Sequence, residues 1–235
     1  MKAIYKSDKG LVRSSNQDWA EVRNFEDSSC LSVVCDGVGG SAGGEIASKE
    51  AATTIVSYFE QHPKYSIKDL ILESIKVANE HLIAISKSDD SIFGLGTTSV
   101  IAFVEKNMLH VANVGDSRAY IISDKEIIQV TEDHSVVNEL VNQGKITSEE
   151  AKDAPNKNII TRALGHLNSS ADYYNRILEH GQKVLLCTDG LTNCLSDEEI
   201  QNIVTNNPPE SAVDILISES NKHGGPDNIT VSLIF

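Results

Sequence analysis

The order of segments along the chain predicts an α+β fold built as a layered sandwich. Two observations carry this. Short runs rich in β-branched and other apolar residues recur from one end to the other, and the helical segments between them come as consecutive pairs, which a simple alternating βαβ sheet does not produce. The 235 residues suffice to bury a full core and suit one large domain better than two small ones. No repeat, low-complexity tract or Pro/Ser-rich linker marks a boundary, so residues 1–235 are expected to form a single domain.

In chain order the expected strands are residues 30–35 (CLSVVC), 97–104 (TTSVIAFV), 108–114 (MLHVANV), 118–122 (RAYII), 183–187 (KVLLC) and 229–235 (ITVSLIF). After the first comes a helix over about 45–62, with Ile46, Ala51, Ile55, Val56 and Phe59 turned inward. The clearest helix follows it. Ile67, Ile71, Ile75, Ala78, Leu82 and Ile85 recur at helical spacing, and Ser66 with Asp69 gives the N-terminal cap pattern. Two more helices fill 196–223, the first capped by Ser196, the pair separated by Pro208 and Pro209, and the second stopped by Gly224.

Composition narrows the function. Hydrophobic residues make up 40% and charged residues 23%, ordinary for a globular chain. Twenty Lys and Arg against 34 Asp and Glu give a net charge of -14, the wrong sign for gripping nucleic acid by its phosphates. The opening MKAIYKSDKG has no apolar leader core and no run approaches a membrane span, so no membrane partner and a cytoplasmic location are expected. Cys30, Cys35, Cys187 and Cys194 form no CxxC pair and sit in or beside apolar runs, the pattern of buried reduced thiols.

The chemistry-bearing pattern is a set of acids at the ends of apolar runs. Asp36 follows LSVVC, Asp116 follows HVANVG, Asp189 follows KVLLCT, and Asp227 precedes ITVSLIF. An Asp-Gly pair is ordinarily a hairpin turn, but Asp36-Gly37 and Asp189-Gly190 lead into expected helices and not into a returning strand. If the four ends converge, their like charges need compensation, and a divalent cluster would supply it. All-oxygen ligands without a His or Cys pattern favour Mg²⁺ or Mn²⁺ over zinc. Two such ions can activate water and hold a phosphate ester for in-line attack. Arg13 offers a planar fork for phosphate oxygens. The glycine-rich GVGGSAGGE lacks the Lys-Ser/Thr ending of a nucleotide loop, and Gly37 could instead offer its carbonyl to a metal. His134, within TEDHS, reads as a hydrogen-bonded structural residue.

Together these motifs resemble the metal-dependent protein serine/threonine phosphatases of type 2C. The match runs in order through GLVRSSNQD at 10–18, CDGVGG at 35–40, GTT at 96–98, ANVGDSR at 112–118, TEDHS at 131–135, ITRALG at 160–165, CTDGL at 187–191 and PDNITV at 226–231. The resemblance implies a four-layer α-β-β-α sandwich, two antiparallel sheets flanked by helix pairs, with a two-metal centre at one end. It implies that Asp36 bridges both metals, that Gly37 ligates one through its carbonyl, and that Asp189 and Asp227 complete the other. Arg13 would bind phosphate, Asp18 would hold metal-bound water from behind, and Asp116 with Asp189 would hold a third ion. The cofactors expected are Mg²⁺ or Mn²⁺, and the partners are phosphoprotein substrates and an opposing Ser/Thr kinase, the chain acting as a monomer. Residues 136–158 match the family's flap beside the site. Family members carry His where this sequence has Val38 or Ser41, and His and Arg are common where Ala154 and Lys157 stand, so the usual proton donor to the leaving group is missing. A phosphoprotein-sensing pseudo-enzyme and a small-molecule phosphohydrolase remain the alternatives.

Overall fold

A computed structural model describes residues 1–38, 43–62, 66–152, 154–156 and 158–235. The chain begins with strands β1 (Ala3–Asp8), β2 (Asp18–Asn24) and β3 (Cys30–Val38), then pairs helix α1 (Gly43–Gln61) with α2 (Ile67–Ser88). Strands β4 (Gly96–Thr97), β5 (Ser99–Glu105), β6 (Met108–Val114), β7 (Arg118–Ile122) and β8 (Ile127–Gln129) come next. Short helices α3 (Val136–Asn142) and α4 (Ser148–Lys152) come after these, followed by β9 (Asp172–Ile177) and β10 (Lys183–Cys187). One turn of helix α5 (Asp189–Thr192), the pair α6 (Asp197–Asn206) and α7 (Pro209–Lys222), and β11 (Ile229–Ile234) complete it.

All pairing is antiparallel. One sheet runs β1-β11-β10-β7-β8 and the other β2-β3-β5-β6-β9, with β4 beside β3. The sheets are buried on both faces, which is why their central strands read as unbroken apolar runs. Along β5, Val100, Ala102 and Val104 face the opposite sheet, whereas Ile101 and Phe103 face α1 and α2. Along β10, Val184 and Leu186 face inward, and Leu185 packs with Ile200, Val204 and Leu216 of α6 and α7. Three apolar layers therefore separate four structural ones, and the expected α-β-β-α sandwich is present.

The expected helices form where periodicity placed them. Ser66 accepts from the Asp69 N–H at the start of α2, and Ser196 with Glu199 makes a reciprocal capping box on α6. The expected strand 97–104 is divided into β4 and β5. At Thr98 the backbone N–H donates to the Asp36 carbonyl at 2.8 Å while the hydroxyl accepts from the Asp36 N–H at 2.9 Å. Strands β1, β2, β8 and β9 carry no strong periodic signal and are found only in the structure. The four cysteines are free thiols, and burial pushes Cys35 and Cys187 up to about 12. Among the described residues no helix is long and apolar enough to cross a membrane.

Candidate active site

Strand register brings the acids to one end of the sandwich. Cys187 at the end of β10 pairs with Val231 near the start of β11 and with Arg118 at the start of β7, so Asp189, Asp227 and Asp116 leave neighbouring strand ends. In the other sheet Asp18 pairs with Asp36 across β2 and β3. The result is a cavity of about 230 Å³ whose walls include Arg13, Asp36, Gly37, Asp116, Asp189 and Asp227. Asp18 lies behind this wall, buried. A second cavity of about 380 Å³ shares Asp116, Asn158 and Asp189 with the first and runs beside α3 and α4.

Each acid is held by groups distant in sequence. Thr97 and Thr98 fix the Asp36 backbone, the Thr97 hydroxyl donating to the Asp36 carbonyl at 2.8 Å. The Asp18 carboxylate accepts from the Thr188 hydroxyl at 2.8 Å, and Asp189 accepts from the Asn193 side chain at 3.0 Å. Asn228 donates to the carbonyls of Lys9 and Ser15 and accepts from the Gln17 N–H, which staples the segment carrying Arg13 to the start of β11. Gly37 is required by space: a Cβ there would lie 2.1 Å from the Gly44 carbonyl oxygen and 2.6 Å from that of Gln17. Sequence reasoning missed Thr98, Thr188, Asn193 and Asn228 as supports, although the GTT, CTDGL and PDNITV motifs contain three of them.

Among the described residues the cavity wall sets four acids against one cation, Arg13. Burial, then the charges of Asp18, Asp189, Asp116 and Asp227, hold the Asp36 carboxyl well above the usual carboxylate range. Burial pushes Asp18 to about 7, against the opposing hydroxyls of Thr230 and Thr188, and Asp116 to about 7, with Asp189 adding to it. Burial and the Asp227 charge raise Asp189 to about 6. Arg13 Nη2 donates to Asp227 Oδ2 at 2.7 Å, and that bond raises the guanidinium further.

These residues fit a hard, oxygen-ligated cation. Oδ1 of Asp18 and Oδ1 of Asp189 are buried without a hydrogen-bond partner, a costly condition unless another positive group completes them. Among the described residues no three His, Cys, Asp or Glu side chains converge tightly enough to hold an ion by themselves. A magnesium-type ion does not need three converging side chains, since it keeps several waters and takes only one or two carboxylates directly. Val38 lines the cavity and has no proton to give. Ser41 and Lys157 lie outside the described residues, and Ala154 is half-buried shortly after α4.

A family profile described as Protein phosphatase 2C matches residues 12–217. The chain is 34% identical over 240 residues to the serine/threonine phosphatase stp of Listeria welshimeri, covering 100% of this chain and 95% of that one. It is 35% identical over 233 residues to the protein phosphatase PhpP of Streptococcus pneumoniae, covering 97% and 94%. Among solved structures, the serine/threonine phosphatase Stp1 of Staphylococcus aureus superposes with a TM-score of 0.93 at 35% identity, covering 99% of this chain and 94% of that one. The catalytic domain of the serine/threonine protein phosphatase PstP, solved in complex with two manganese ions, superposes with a TM-score of 0.86 at 31% identity, covering 99% and 96%.

Proposed function

This chain belongs to the protein phosphatase 2C family, and from that premise we propose that it hydrolyses phosphoserine and phosphothreonine on proteins with the help of divalent cations, opposing a Ser/Thr protein kinase. The observation that supports this most strongly is the meeting of four strand-end acids and one arginine in a single cavity. Residues 1–235 act as one catalytic domain, with 136–158 as its flap. Two ions, Mg²⁺ or Mn²⁺, with a third beside them, supply when bound the Lewis acidity that neutralises the phosphate and activates water.

The chain's own residues do the rest. Asp36, its backbone fixed by Thr97 and Thr98, would be a ligand common to two ions, with the Gly37 carbonyl completing one and Asp189 and Asp227 the other. Asp116 with Asp189 would hold a third. Asp18, gripped by Thr188, keeps its free Oδ1 for water held in the pocket. Arg13 uses one N–H on Asp227 and keeps further donors of its fork for phosphate oxygens. The excess of acids over bases accounts for the metal requirement, because a phosphate dianion would otherwise be repelled.

The reading is tested by measuring phosphate release from a phosphothreonine peptide, an aryl phosphate and a nucleotide, in chelator and in Mn²⁺. Release from the peptide and the aryl phosphate that needs Mn²⁺ is expected. Preference for the nucleotide would point to a small-molecule phosphohydrolase, and no release from any of the three would point to a phosphoprotein sensor.

A further inference from the structure

His134 is buried, with 6% of its surface exposed, and lies outside the cavity wall, yet it bonds to the backbone that carries one of the wall's acids. Gly115, just before Asp116, has a φ of +105°, and a Cβ there would meet Thr98 at 2.6 Å, so the turn is tight and glycine-specific. Both polar groups of Gly115 engage His134. The His134 N–H donates to the Gly115 carbonyl at 3.0 Å, and the Gly115 N–H donates to His134 Nδ1 at 3.1 Å.

That second bond fixes the tautomer. Nδ1 must be the acceptor, so the ring proton sits on Nε2, which donates to Asp172 Oδ2 at 3.2 Å. Arg162 Nη1 holds Asp172 Oδ1 at 2.8 Å and lies 3.2 Å from Nε2, where it would claim the lone pair if Asp172 did not draw the proton there. The same residue reaches the flap. The His134 carbonyl accepts from the Thr161 N–H at 2.8 Å, Ser135 bridges Ile160, and the Val136 N–H donates to the Ile159 carbonyl at 2.9 Å. These bonds close the base of segment 136–158, beside Asn158 and Ile160, which line the cavity with Asp116.

We propose that His134, locked as the Nε2–H tautomer by Asp172, is a positioning residue that holds the Gly115–Asp116 turn in its ion-binding form and fastens the flap base to it. This rests on reading Asp116 as a ligand to a divalent ion. It joins TEDHS and ITRALG, whose Ile160 also lines the cavity, in a single bonded unit.

Mn²⁺ binding to the metal-free protein, followed by calorimetry with thermal unfolding of the same samples, tests the proposal. Asn places an amide oxygen where Nδ1 lies, whereas Gln reaches only the position of Nε2. His134→Asn should bind Mn²⁺ close to the parent's affinity, and His134→Gln should weaken the weakest binding event by roughly 10- to 100-fold, the usual effect of losing an outer-shell partner. Asp172→Ala frees Arg162 to claim Nε2 and turn the tautomer, so it should weaken binding in the parent and not in the His134→Asn background. Equal affinities of the Asn and Gln variants would overturn the proposal. If the Gln variant does not fold, an Asp172→Ala effect that persists in the Asn background overturns it. Asp116→Asn separates the two layers of the argument: loss of binding there with none in His134→Gln removes the role of His134 alone, whereas no loss in Asp116→Asn removes Asp116 as a ligand and the proposal with it.

Discussion

The space between the two sheets and the cavity at their ends are made from the same strands under opposite rules. Between the sheets, Val34, Val100, Val184 and Leu186 are fully buried, and the hydroxyls of Ser32 and Ser232 bond to each other across the layer at 2.7 Å. Two residues beyond Val34 on the same strand stands Asp36, in a group of acids with too few positive partners and with buried oxygens left unbonded. The first region lowers the free energy of the fold, and the second raises it. Under the proposed function, divalent cations bound there would make such a cluster favourable.

The widest separation between the regions should come from exchanging their burdens. Asp36→Asn keeps size and removes charge, so turnover should fall on the order of 10²- to 10³-fold. In chelator, however, its unfolding midpoint should equal or exceed that of the parent. Leu109→Ala, in the layer between the sheets, should do the reverse: a loss of about 2–5 kcal/mol of stability, with turnover per folded molecule unchanged. Denaturant unfolding and active-site-normalised kinetics on both variants check the pair.

The legibility of each region in the sequence follows the same division. Strands β3, β5, β6, β10 and β11 are buried on both faces and announce themselves as apolar runs. Strand β9 (DYYNRI) lies at a sheet edge, half-buried to exposed, with no alternation to reveal it. Strands β1 and β2 bury few side chains and carry charged residues between them. In the site, Asp36, Asp116, Asp189 and Asp227 stand out because acids at the ends of apolar runs are unusual. Thr188 does not, since its hydroxyl meets Asp18 across 170 residues of sequence and serine or threonine is unremarkable anywhere. Periodicity reports burial, and it is silent on a hydrogen bond between remote segments.

A smaller effect separates the regions by pH. Folded and free of metal, Asp18 and Asp116 hold their protons to about 7 and Asp189 to about 6, whereas unfolded Asp titrates near about 4. Because the folded values are raised, the stability these groups contribute is fully present below about pH 4 and is lost as pH rises through about 6 to 7. The midpoint of the chelated protein should therefore fall from about pH 5 to about pH 8, and saturating Mn²⁺, which binds the ionised form, should remove that fall. Asp18→Asn should flatten the chelated profile. Arg13→Lys should be smallest: it keeps the charge and loses the fork, raising the Michaelis constant for a phosphopeptide roughly 10-fold, about the value of one hydrogen bond to a charged group, with little change in turnover.

The most direct measurement follows one Mn²⁺ titration of the metal-free protein by two signals, the thermal unfolding midpoint and phosphate release from a phosphothreonine peptide. If the acids exist to be completed by cations that also drive the reaction, both signals should rise over the same range of Mn²⁺ in the parent, and both should stay flat there in Asp36→Asn. Phosphate release that persists in chelator, or that rises with Mn²⁺ equally in Asp36→Asn, would contradict the account.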